Sequence, residues 1–266
     1  MATELANRTP TAAPQATVAD EVAQAHAAIG QSLLHGDHLW QRREPGISAH
    51  VSGQPCASSN GIYIHDGCVS PELVEELIAQ VAAHGLPFTV KLRSGLSGTM
   101  APMLEKRGLV WSEDLPLMAV EPTRFAPALC PAEVVIRTLA PTENRIHMDL
   151  VAYGLGAPRE ALEVVMSDAN QAAPNWTTYV GEVDGELAVT ASAIAGADHV
   201  GLIAIATEDR FRRRGYGAAL TSRAVSDAFA GGAARVFLHS SQMGYRIYEA
   251  LGFCTLEHLS VWASGD

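Results

Sequence analysis

Between residues 199 and 232 the chain commits itself to a strand, a basic glycine turn and a helix, in that order. His199-Val200-Gly201-Leu202-Ile203-Ala204-Ile205-Ala206-Thr207 is apolar and partly β-branched, the pattern of a buried strand. Arg210-Phe211-Arg212-Arg213-Arg214-Gly215-Tyr216-Gly217-Ala218 follows directly. Tyr216, Leu220 and Ala224 then recur at four-residue spacing, widened by Val225, Ala228 and Phe229, and Gly231-Gly232 stops the helix. A buried strand running through a tight turn into an amphipathic helix is the unit from which α/β sheets are built.

That junction also has a chemistry. A helix N-terminus presents free backbone N–H groups and the positive end of the macrodipole. Gly215 and Gly217 carry no Cβ, so a bulky anion can approach the main chain there. Arginine guanidinium forks match phosphate oxygens. The chain has a net charge of -11, yet four of its 18 Lys and Arg side chains fall within five residues, at Arg210, Arg212, Arg213 and Arg214. The pattern predicts a pyrophosphate cradle built from Arg212, Arg213, Arg214, Gly215, Tyr216, Gly217 and Ala218.

A second stretch lies 31 residues on, at Arg246-Ile247-Tyr248-Glu249-Ala250-Leu251-Gly252-Phe253. Together, Arg212-x-x-Gly215-x-Gly217 and the Tyr248…Gly252-Phe253 ending resemble the two signatures of the GNAT superfamily of acyl-CoA-dependent N-acyltransferases. The predicted order over 133–263, β-α-α-β-β-β-α-β-α-β, is the order of that fold, so the resemblance covers about half the chain. It implies an α/β fold, a mixed central sheet flanked by helices. It also implies acetyl-CoA as acyl-donor substrate, a primary amine of a small molecule as acceptor, and no metal. Transfer by direct attack in a ternary complex is expected, because no residue stands out as a covalent relay.

By the same resemblance, Tyr248 is the general acid that returns a proton to the departing thiolate, a task suited to a phenol of pKa ~10. The backbone of Ile205, Ala206 and Thr207 pairs with the pantetheine arm and supplies an oxyanion donor. Ser241 stands where many relatives carry Asn, and is counted with the cofactor-binding residues. Thr207 replaces a common Val. Glu208, acting through water, is the chosen base; His239 and Ser240 are alternatives. Two further readings stay open: an acyl-CoA hydrolase or decarboxylase on the same fold, and a non-catalytic acyl-CoA-binding module.

The first half reads as a smaller mixed unit. Gly46–Ser52 and Gly61–His65 are expected strands, Pro71 opens a helix to about Ala83, and Pro87–Leu92, Met100–Arg107 and Leu115–Val120 give strand, helix, strand. It echoes the second half: Thr89–Ser94 matches Arg235–Ser240 in type, and Met103–Leu109 matches Ile247–Phe253. Leu104 takes the place of Tyr248, and no Arg-x-x-Gly-x-Gly is present. The expectation is a tandem protein with a tail over 1–17, a degenerate GNAT-like unit over 18–121, a linker over 122–132 rich in Pro122, Pro127 and Pro131, and an active domain over 133–266. A helix is expected from Val18 to Leu34, and His35 and His38 in a turn after it.

Composition narrows the rest. A 48% hydrophobic and 18% charged chain is globular, and a pI near 5.3 argues against nucleic-acid binding. The four cysteines are scattered with no C-x-x-C pair, so reduced thiols are expected. The first residues lack the pattern of a signal peptide and no apolar run reaches transmembrane length, so a cytoplasmic protein without membrane partners is expected, with a homodimer left open.

Overall fold

The computed structural model describes residues 16–32, 40–143, 145–163 and 165–265. Most of the expected tail, together with His35 and His38, lies outside them. The helices are α1 (Val18–Ser32), α2 (Pro71–Ala82), α3 (Ser94–Lys106), α4 (Met148–Leu155), α5 (Arg159–Leu162), α6 (Asp168–Gln171), α7 (Tyr216–Ala230) and α8 (Tyr245–Ala250). The strands are β1 (Trp40–Glu44), β2 (Ile47–Val51), β3 (Asn60–Ile64), β4 (Thr89–Arg93), β5 (Leu109–Val120), β6 (Val134–Thr138), β7 (Trp176–Val183), β8 (Glu186–Ala195), β9 (His199–Thr207), β10 (Arg235–His239) and β11 (Cys254–Ser264).

All eleven strands form one sheet, in the order β1-β2-β3-β4-β11-β5-β10-β9-β8-β7-β6. The two halves repeat one plan. β3 runs through α2 to a parallel β4, then through α3 to β5. β9 runs through α7 to a parallel β10, then through α8 to β11. The last strand of each half crosses over: β5 lies antiparallel to β10 and β11 antiparallel to β4, and these two long strands pair with each other at the centre. The sequence echo falls on this repeat, since Gly108 and Gly252 both follow the helix at positive φ, +79° and +93°, just before β5 and β11.

The core divides by face. One side of the first half buries Ile62, Ile64, Leu77, Val90, Leu92 and Leu104 beneath α2 and α3. The same side of the second half buries Leu202, Leu220, Val236, Leu238 and Tyr248. On the opposite side, Leu117, Ala119 and Phe237 meet Val22 and Ile29 of α1 and Met148 and Val151 of α4.

Several elements depart from the pattern reading. β1, Trp-Gln-Arg-Arg-Glu, is a charged edge strand, which discourages pairing with another chain and hides its strand character in the sequence. α3 starts at Ser94 rather than Met100; Gly95, Gly98 and Pro102 are poor helix formers, and tertiary packing overrides them. The helix expected over 158–168 is two separate single turns, α5 and α6, and the one expected over 142–153 is a 3-10 turn at Pro141–Glu143 followed by α4. Residues 122–132 have no regular structure but are tied down: Ala126 N–H donates to Leu251 O at 3.1 Å, and Ala128 N–H to Ser222 Oγ at 2.8 Å.

Candidate active site

β9 and β10 part company halfway along. Their parallel ladder ends at Leu202 opposite Leu238, and the next residue of β10, His239, keeps only its pairing with Leu117 of β5 on the other edge. On its other edge β9 carries a bulge: Thr190 faces Ala206 and Ser192 faces Ile203, so Ala204 and Ile205 together stand opposite Ala191. Ala204 takes φ +55°, a left-handed conformation that costs an L-residue about 1–2 kcal/mol. A bulge of this kind bends a strand away from its neighbour. The result is a wedge-shaped opening whose β9 wall, residues 203–207, has no strand partner on the β10 side.

The mouth of the wedge is the strand-to-helix turn. Arg213 takes φ +66° and Gly215 φ +85°, which folds the chain sharply into α7. The first bond of the helix runs from Ala219 N–H to Gly215 O, so the N–H groups of Tyr216, Gly217 and Ala218 point out of the helix end. A Cβ built on Gly217 would lie 3.4 Å from Thr207 Oγ1, which puts the helix start against the end of β9.

The arginines divide by task. Arg212 donates from Nε to Thr207 O at 3.1 Å, pairs with Asp209 at 2.6 Å and lies over the Tyr153 ring, so it clamps turn to strand. Arg210 is bound to Glu186 and Glu208. Arg213 and Arg214 are exposed and make no ion pair with the described residues, Arg214 lying over the Phe211 ring, which leaves two cations without a carboxylate partner among the described residues beside the open helix end. Tyr216 contributes only its backbone, because its side chain is fully buried and its hydroxyl donates to Glu133 at 3.1 Å.

Tyr248 sits on α8 in the same apolar cluster that Ile205 packs against. Its ring lies over Gly244, where a Cβ would come within 2.7 Å of a ring carbon. Burial pushes its hydroxyl up to about 12, so the phenol keeps its proton at any physiological pH. Ser241 caps the entry to α8, accepting from Gly244 N–H at 3.2 Å, and its hydroxyl serves the turn. Among the candidate bases, Glu208 accepts from Arg210 Nε at 2.6 Å through Oε2, and Oε1 takes no hydrogen bond from the described residues. Ser240 donates to Ser241 O at 2.8 Å. His239 is dropped to about 3 by burial and by the nearby Lys91 charge, too weak a base for an alkylammonium proton.

Three contributors escaped the sequence reading. Gly154 of α4 leans on the strand, since a Cβ there would fall 2.6 Å from that of Ala206. Tyr153 donates to Asp209 and ties α4 to the basic turn. His147, fully buried, bridges Thr190 at 3.1 Å and Gln171 at 3.0 Å, and so fixes the start of α4 to β8 and α6. None of these carries a local motif, because each works through a neighbour distant in the chain. Among the described residues no three His, Cys, Asp or Glu side chains gather as a metal-holding group. All four cysteines are free, and no described helix is long and apolar enough to cross a membrane.

A splayed parallel pair, with a helix N-terminus at its mouth, is the architecture of the GNAT fold, and comparison with known proteins agrees. Residues 147–253 match the acetyltransferase (GNAT) family profile. Among solved structures, a GCN5-related N-acetyltransferase from Kribbella flavida is similar at TM-score 0.74 and 19% identity, over 95% of this chain and 97% of that one. A GCN5-related N-acetyltransferase from Sphaerobacter thermophilus gives 0.63 and 16%, over 92% of each chain. A tandem GNAT protein from the clavulanic acid biosynthesis pathway gives 0.59 and 16%, over 97% of this chain and 90% of that one. Comparison with curated proteins gives no match. Residues 147–253 thus match a GNAT acetyltransferase domain, and the fold of the described residues is that of GNAT N-acetyltransferases.

Proposed function

We propose that this protein is an N-acetyltransferase that moves acetyl from acetyl-CoA to a primary amine of a small molecule by direct attack in a ternary complex. The observation that carries this reading is the wedge itself, an unpaired strand wall at 203–207 leading to the open N-terminus of α7. Phosphates of the donor fit the N–H groups of Tyr216, Gly217 and Ala218, with Arg213 and Arg214 alongside. The pantetheine arm fits the free edge of Ile205, Ala206 and Thr207, as an added strand would.

In the reaction the amine lone pair adds to the thioester carbonyl carbon, and charge builds on the carbonyl oxygen near a β9 N–H. The carbon–sulfur bond then breaks, and Tyr248 passes its proton to the departing thiolate. The ammonium proton leaves through water to Glu208, whose Oε1 remains available. The first half, with Leu104 in the place of Tyr248 and no Arg-x-x-Gly-x-Gly before α2, supports and walls the acceptor side without binding donor. The working compartment is the cytoplasm, and no nucleic acid or membrane takes part.

The test is thermal unfolding with acetyl-CoA, plain CoA and malonyl-CoA. Donor at a hundred times its Kd stabilises by about 2.7 kcal/mol, a rise of several degrees. Release of CoA that depends on added amine then separates transfer from hydrolysis and from binding alone. No shift with any thioester would sink the reading.

A further inference from the structure

Beyond the wedge, the face of the sheet beneath α1 holds a second polar group. Residues opposite one another in a sheet share a face, and the register sets Tyr63 of β3 beside Lys91 of β4, then Val261 of β11 and Glu113 of β5. His239 at the end of β10 and Glu257 of β11 flank Leu117 on the same face. From α1 above, the His26 ring stands 4.9 Å from the Tyr63 ring and 4.4 Å from the His239 ring.

Three buried atoms there, His26 Nδ1, Tyr63 Oη and His239 Nε2, have no hydrogen-bond partner among the described residues. Buried polar atoms in native proteins are nearly always paired, so three orphans on rings that meet at His26 mark a place where a polar ligand belongs. The sign of the charge follows from the neighbours. Lys91 makes no ion pair with the described residues; Glu113 is the carboxylate that acts on it. Lys91, His65 and His239 all oppose a charge on His26, and Lys91 opposes one on His50 and His239. The further carboxylates here have cations of their own: Glu257 is held at 2.8 Å by Arg93, which also pairs with Asp20, and Glu21 and Glu121 lie beside Arg235. This cluster is thus rich in donors and bases and short of an unpaired anion, and His239 carries it to the point where β10 leaves β9.

We propose that this cluster forms an anion subsite on the acceptor side, in which Lys91, Tyr63, His26 and His239 hold an oxyanion of the acceptor, so that the substrate is an amine that also carries a carboxylate or phosphate. The proposal rests on the acetyltransferase reading above.

The experiment compares matched acceptors with acetyl-CoA: amino acids, the amines left by removing their carboxylate, and aminoalkyl phosphates. A charged hydrogen-bonded contact predicts roughly 10- to 100-fold higher kcat/KM for the anionic member of a pair, and the carboxylate and phosphate arms identify which oxyanion fits. Lys91→Met moves that ratio toward one through KM for the acceptor, and Tyr63→Phe moves it less. If anionic and neutral amines are used alike, or if Lys91→Met scales both equally, the subsite is wrong while a thermal shift with acetyl-CoA still upholds the donor site. Should no amine turn over, the imidazole 15N resonances of His26 and His239 are followed while N-acetylglycine, and separately inorganic phosphate, is added with CoA present. Movement toward the imidazolium shift supports the subsite, and resonances that stay put overturn it.

Discussion

Gly217 carries two opposed demands. As the second residue of α7 it leaves the helix N–H groups uncovered, yet glycine is about 1 kcal/mol worse than alanine within a helix. Its added Cβ would meet only Thr207 Oγ1, at ordinary contact distance. Gly217→Ala is therefore expected to raise the melting temperature by a few degrees, while weakening acetyl-CoA about tenfold, ~1.4 kcal/mol; calorimetric titration beside a thermal scan reads both. Tyr248→Phe keeps the ring over Gly244 and removes only the hydroxyl and its proton. Loss of a general acid lowers kcat roughly 100-fold, and Kd for acetyl-CoA should stay within about twofold of wild type. Equal losses in kcat and in binding would assign Tyr248 to packing.

At the scale of elements, the paired glycines at 108 and 252 separate conformation from contact. Both end a helix in the left-handed region, but a Cβ on Gly252 would lie 2.0 Å from Arg124 O, whereas one on Gly108 meets nothing within 4 Å. Gly108→Ala should cost about 1 kcal/mol from its φ alone, and Gly252→Ala about 2–4 kcal/mol because the segment at 124–125 must move. Urea midpoints at constant m distinguish the two. The same contact explains why residues 122–132, composed like a loose linker, lie pinned against α7 and α8.

For the molecule as a whole, the crossing of β5 and β11 makes each half depend on the other. Residues 122–266 alone would lack β5, leaving β10 with an open edge, and would lack both β4 and β5, leaving the long β11 with no neighbour, an aggregation hazard. That fragment is expected to be insoluble by itself and to recover acetyl-CoA binding when co-expressed with residues 1–121. A soluble, donor-binding fragment would establish instead that the halves are independent domains.

Acid should also loosen the whole fold. Burial lowers His50 to about 4 and His239 to about 3, from an ordinary 6.5. Between pH 6.5 and 4 the unfolded chain takes protons that these folded imidazoles refuse, so unfolding free energy falls as pH falls. Urea unfolding at pH 7, 5.5 and 4.5 checks the sign, and His239→Gln should flatten the slope.

Much of the proposed donor site was legible because it is local. Strand 199–207, the glycines at 215 and 217, and Tyr248 before Gly252-Phe253 are read from residues a few positions apart, where backbone geometry follows from the chain itself. The repeat of the two halves was legible for the same reason. The roles of the individual arginines were not, because Arg212 and Arg210 are claimed by Asp209, Thr207, Glu186 and Glu208. Nor was the positive φ of Ala204, since alanine does not announce a bulge. The chemistry of His239 depends on His26, Lys91 and burial, drawn from three elements scattered along the chain. Sequence alone determined the strand–turn–helix unit and the glycine turn at its junction. Only the tertiary structure decided that the last strands cross, that β9 leaves β10, and that basic side chains meet under α1, because each depends on contacts that exist only after distant segments pair.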